Sequence, residues 1–212
     1  MKFELNDFQR EKLDALRKRA EEPYDSSKTE HVDTLRRLWE SAFGKREKPP
    51  SDMKSERWKE MGWQGTSPET DFRAGGYLSL QNLLWLAQND KKLFDELRTK
   101  SRGTRSDFEY PFAVAGVNLT FNLVELLEVK EKSPSTPSGI AFARLIELDD
   151  CAFEKIYVLA FDVLEAEWLN YPNANYMDFP HVMKSMKEVL RSLLKDVNSF
   201  EEVEKRRKAN AL

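Results

Sequence analysis

Cysteine is almost absent from this sequence. Cys151 stands alone in 212 residues, so no internal disulfide can form, and a secreted chain of this size usually carries several cysteines. Histidine is nearly as scarce: His31 and His181 lie far apart, and neither has a metal-ligand spacing. Only eight glycines occur, none in a Walker loop, a dinucleotide fingerprint or a nucleophile elbow. We therefore expect a chain that binds no nucleotide of its own and performs no metal hydrolysis. Long apolar runs are also missing, since no window approaches the ~18 residues of a membrane-spanning helix. The N-terminal stretch MKFELNDFQREKLDALRKRAEEPYD has no apolar signal core. A soluble cytoplasmic protein is expected, and Asn118 in NLT is not expected to carry a glycan. Neither charge sign dominates: 34 Lys and Arg are interspersed with 37 Asp and Glu, for a net charge of -3. Nucleic-acid binders show a clustered basic face, so no nucleic-acid partner is expected.

Hydrophobic residues make up 40% of the chain and charged residues 33%, which suits one core inside a solvated shell. The apolar spacing is helical almost throughout, with GIAFARLIEL the one run ambiguous between helix and strand. Asn6 or Asp7 can cap a first helix carrying Phe8, Leu13, Leu16 and Ala20 inward. Val32, Leu35, Leu38, Trp39 and Ala42 form the stripe of a second, ending near Gly44. KREKPPSD reads as an exposed connector, and Ser55 to Met61 as a short helix stopped at Gly62. A Leu-rich helix starts at Tyr77, and the next one turns Leu93, Phe94 and Leu97 inward. YPFAVAGVNLTFNLVELLEVK is the most apolar stretch, predicted to be buried and central. Asp149 or Asp150 can cap a helix with Phe153, Ile156, Tyr157, Ala160, Leu164 and Trp168 on one face. Pro180 opens the last main helix, with Val182, Met186, Val189, Leu190, Leu193 and Leu194 inward. The expected fold class is all-α: a single-domain multi-helix bundle with a long buried central helix.

Few side chains suggest chemistry. His31 follows Glu30 near a helix start and is expected at the surface, whereas His181 is expected to be structural. Cys151 falls in a helix's first turn, where the dipole favours a thiolate, but no histidine stands nearby in sequence, so a packing role is the expectation. Lys91, Lys92, Arg98, Lys100, Arg102 and Arg105 form a local basic excess. That excess reads either as a solvated helix and loop or as a contact for an acidic partner or an anionic membrane surface.

The segment RWKEMGWQGTSPETDFRAGGYLSL is different, because it is overdressed for a connector. Trp58, Trp63 and Phe72 can pin a loop into one shape. Ser67, Pro68 and Glu69 make a helix-start pattern, and Gly75 and Gly76 permit a sharp bend into the Leu-rich helix. The whole reads as a rigid elbow that holds Arg73. Two roles for that arginine stay open: a brace paired with Asp71 or Glu69, or a preset guanidinium whose planar fork matches phosphate oxygens.

The motif W-x3-G-W-Q-x3-P-x-T-D-F-R-A-G-G-x3-L-x2-L resembles the signature of the ELMO domain (engulfment and cell motility). The resemblance is carried by Trp58, Gly62, Gln64, Pro68, Thr70, Asp71, Phe72, Arg73, Gly76, Leu80 and Leu83, and further along by YPFAVAGVNLTF and NANYMDFPHVM. It extends over roughly Leu35 to Lys195. It implies an ELMO domain at 31–197, an N-terminal helical extension at 1–30 and a C-terminal helical tail at 198–212. The family usually has a glycine where this chain has Ala74. Short family members activate GTP hydrolysis on Arf and Arf-like small GTPases, with the motif arginine as the proposed finger. Longer members join other modules to the domain and help DOCK-type exchange factors act on Rac, generally without that arginine. This chain keeps Arg73 and shows no appended module, so the first branch is expected. The resemblance then makes Arg73 the catalytic candidate, with Gln64 as a group near the attacking water or the partner's switch region. Trp58, Trp63, Phe72 and Leu80 become the support shell, and Thr70 and Asp71 cap the bend and orient the guanidinium. GTP and Mg²⁺ would sit on the partner GTPase, in a eukaryotic cytoplasm, and this chain would bind no cofactor.

Overall fold

Nine α-helices, separated by turns and loops, are present in a computed structural model that describes residues 3–103, 108–171 and 173–210. The first, α1 (Asp7–Glu21), begins with a capping box in which Asn6 and Gln9 satisfy each other's backbone. Gln9 also reaches Glu147 at 2.7 Å, taking the inward position at this end of the helix. Phe8 is consequently exposed beside Lys12, not inward as its spacing predicts, while Leu13 and Leu16 are buried. Helix α2 (Thr29–Phe43) stops at Gly44 and buries Leu35, Leu38 and Trp39. Two 3-10 turns follow, Glu56–Met61 and Pro68–Asp71, before α3 (Gly76–Asn89) and α4 (Lys91–Thr99).

The apolar stretch predicted to be central forms α5 (Phe112–Leu126). Among the described residues there is no strand, and the ambiguous GIAFARLIEL run lies in α6 (Pro137–Leu148). Helix α7 (Ala152–Asn170) opens at Cys151, one position beyond the carboxylates expected to cap it; Asp149 instead accepts the Cys151 N–H at 2.8 Å. A 3-10 turn at Tyr176–Asp178 leads into α8 (Phe179–Leu194), and α9 (Phe200–Asn210) follows. His181 is exposed on α8, contrary to its expected structural role.

Helix α3 packs against α1, α2, α4, α5 and α7, and α5 against α3, α4 and α7. Where α3, α5 and α7 meet, Gly116 leaves no room for a Cβ: one built there would lie 2.6 Å from both Leu83 and the Tyr157 hydroxyl. Asn82 donates to Thr120 across the same contact at 3.0 Å, so a polar pair fixes the register of two apolar helices. The C-terminal α9 rests on α8 through buried Val203, and its Arg207 pairs with Asp162 of α7. Among the described residues, no helix is long and apolar enough to cross a membrane.

Candidate functional site

The segment from Ser55 to Gly76 earns its shape from local chemistry. Ser55 caps the first 3-10 turn through the Arg57 N–H, and its own N–H donates to Thr66, closing the segment on itself at 2.9 Å. Gly62 ends that turn in the left-handed region, with φ of 84°. A Cβ here would run into the Phe112 amide and Pro111, so glycine is required twice, by conformation and by contact with α5. Pro68 opens the second turn, as its fixed φ favours, and Thr70 donates to the Ser67 carbonyl at 3.2 Å.

Beneath this surface runs a continuous file of rings. Trp39 meets Trp58 at 4.7 Å, Trp58 meets Trp63 at 6.5 Å, Trp63 meets Phe72 at 5.2 Å, and Phe72 meets Tyr24 at 4.7 Å. Most contacts are edge-on, the geometry that ring quadrupoles favour. Trp58, Trp63, Phe72, Leu80 and Leu83 are all buried, and the Trp58 indole donates to the Met53 carbonyl at 2.8 Å. Burial raises the Tyr24 phenol to about 12.

Arg73 stands on the outside of this bend. Its side chain is exposed, and neither Asp71 nor Glu69 braces it. Asp71 accepts the Gln64 backbone N–H at 2.9 Å, and Glu69 accepts from Ser26 at 2.8 Å. Thr70 and Asp71 therefore stiffen the backbone and do not orient the guanidinium. The Gln64 side chain is exposed on the same loop. Ala74 lies outside the left-handed region, so replacing the family's glycine costs the backbone nothing; the residue that needs positive φ is Gly76, at 58°.

One contributor escaped sequence reasoning. His31, expected at the surface, is only 1% exposed and stacks on Tyr77 at 3.6 Å. Its Nδ1 accepts the Asp25 N–H at 3.0 Å, and its Nε2 faces a Glu22 carboxylate oxygen at 3.1 Å. The one available signal was Tyr77, directly after the glycine pair, and nothing in the spacing tied it to His31.

Other candidates disperse. The basic cluster is largely paired: Lys91 and Arg98 with Asp95, Lys92 with Glu96, Arg102 with Glu96 and Asp162. Lys100 lies 3.1 Å from the Tyr110 ring centroid, and Arg105 lies outside the described residues. An open groove of about 1030 Å³ between α5, α6 and α8 is lined by Phe121, Glu128, Arg191 and Lys195, and no residue of the Trp58–Leu83 segment lines it. Among the described residues no group of three His, Cys, Asp or Glu could hold a metal ion.

A helical domain whose ring-backed elbow presents one unbraced arginine is thus the class that fold and site define. The chain belongs to the ELMO/CED-12 family, whose model matches residues 14–183. It is 34% identical over 193 residues to ELMO domain-containing protein C of Dictyostelium discoideum, covering 86% of this chain and 30% of that protein. ELMO domain-containing protein A of the same organism is 32% identical, over 92% of this chain and 21% of its own length. Human ELMO domain-containing protein 2 is 34% identical over 55% of this chain and 37% of its own. The chain thus spans about a third or less of the Dictyostelium relatives. No solved structure matches it.

Proposed function

We propose that this chain accelerates GTP hydrolysis on a small GTPase of the Arf family by supplying Arg73 in trans. The observation that carries the reading is the exposed guanidinium on a stiff bend, with its two acidic neighbours bonded elsewhere. Phosphoryl transfer places developing charge on phosphate oxygens, and a positioned arginine neutralises it. Such a group contributes a rate gain on the order of 10³ to 10⁵, about 4 to 7 kcal/mol of barrier. GTP and Mg²⁺ belong to the partner's site, and the Gln64 side chain is the second group available to the attacking water or switch region. We assign no membrane contact to the α4 face, because its lysines and arginines are paired within the chain.

A second reading is a non-catalytic interaction module, or a scaffold acting with a DOCK-type exchange factor on Rac. The greater length of the relatives favours it, since much of each lies outside the match. Single-turnover hydrolysis on a panel of GTP-loaded Arf, Arf-like and Rac proteins, run beside a binding assay, separates the two. Acceleration of an Arf-family member is expected. Binding to a loaded GTPase without acceleration of any would overturn the activating reading in favour of the module.

A further inference from the structure

We propose that His31 is a positioning residue for Arg73, holding the elbow from behind through the connector between α1 and α2. The inference rests on the activating role proposed above. Both ends of the turn that carries Arg73 are anchored on that connector. At one end Phe72 packs on Tyr24, whose ring lies 5.7 Å from His31. At the other end the Tyr77 N–H donates to the Glu22 carbonyl at 2.9 Å, directly beneath the Gly76 bend. A Cβ on Gly76 would stand 2.5 Å from that same carbonyl, so the connector backbone lies directly against the bend. The Phe72 carbonyl in turn accepts the Gly76 N–H at 2.7 Å, which closes the backbone around Arg73.

His31 joins these parts. Its ring stacks on Tyr77, its Nδ1 holds the Asp25 amide, and its Nε2 holds the Glu22 side chain. With Nδ1 accepting, the ring's proton sits on Nε2 and donates to Glu22. Thr34, one turn along α2, pairs with the Tyr77 hydroxyl at 2.8 Å and fixes the far end of that ring. Ser26 adds a tie to Glu69 in front of the elbow. An unbraced guanidinium has only its backbone to aim it. Moving that backbone by about 1 Å can cost on the order of a hundredfold in rate.

The test compares wild type, His31→Ala and His31→Phe in the full chain, the last restoring a ring without hydrogen bonds. Two readouts are taken: hydrolysis on a responsive GTP-loaded GTPase across concentrations of the chain, and amide exchange of Tyr77 with no GTPase present. His31→Ala is expected to lower the saturated rate about tenfold to a hundredfold with an unchanged half-saturating concentration. It is also expected to speed Tyr77 exchange, and His31→Phe to recover part of both. If His31→Ala fails to fold, His31→Asn keeps an acceptor for the Asp25 N–H without the ring and carries the same comparison. A wild-type saturated rate together with wild-type Tyr77 exchange would overturn the proposal. If no GTPase responds even to wild type, the activating role fails by itself, and the exchange measurement still decides whether His31 holds the elbow.

Discussion

The Asp71 carboxylate accepts the Gln64 amide, which leaves the adjoining Arg73 guanidinium to solvent. That division of labour between neighbours two positions apart is what separates a presented arginine from a braced one. The glycines of the loop divide in the same way. Gly62 is left-handed and pressed on the start of α5, whereas Gly65 has open space around it and needs no positive φ. Gly62→Ala should therefore cost more than the about 1–2 kcal/mol of left-handed strain alone, and Gly65→Ala should stay within about 0.5 kcal/mol. Chemical denaturation of the two variants checks this. Gly62 was legible in the sequence because a left-handed cap is a local matter, written in the residues around it. His31 was not legible, because its burial is decided by Tyr77, which the fold brings to it from another helix.

At the scale of elements, the file of rings from Trp39 to Tyr24 links α2, the Glu56–Met61 turn, the residue that ends the Pro68–Asp71 turn and the α1–α2 connector. It explains how a segment with little regular structure keeps one conformation. Trp58 is its middle member, fully buried and bonded to Met53. Trp58→Ala should cost about 3–5 kcal/mol by denaturant titration and loosen the arginine's support. Helix positions and inward faces followed from apolar spacing, since periodicity reports burial directly. The spacing misled at Phe8, where the capping box and Glu147 draw Gln9 inward instead. It was also silent on charge pairing: the basic run over 91–102 looks like a free patch in the sequence, yet acidic residues one turn away and on α7 absorb most of it. Of the site, the supporting aromatics and the glycine bend could be read in advance. The direction of Arg73 could not, because it depends on which donors Asp71 and Glu69 find in three dimensions.

At the scale of the molecule, two phenols, half-buried Tyr24 and fully buried Tyr157, make stability fall at high pH. Tyr24 is raised to about 12 and Tyr157, wholly buried, goes well above the usual value of 10.0, in both cases chiefly by burial. Above pH 10 the unfolded chain ionises these phenols while the folded chain keeps them protonated, so the unfolded state binds fewer protons and stability falls. For Tyr24 the contribution is complete below pH 10.0 and is lost progressively as pH rises to about 12. Melts across that window should show a steeper decline for wild type than for Tyr24→Phe. The same ring closes the file behind Phe72, so alkaline loosening should begin at the elbow. The central claim concerns Arg73 alone, and one measurement meets it most directly: single-turnover GTP hydrolysis on a responsive Arf-family GTPase, with wild type against Arg73→Lys at equal thermal stability. Lysine keeps the charge but not the planar fork, so the rate should fall almost to that of the GTPase by itself. A variant that retains the wild-type rate would contradict the account.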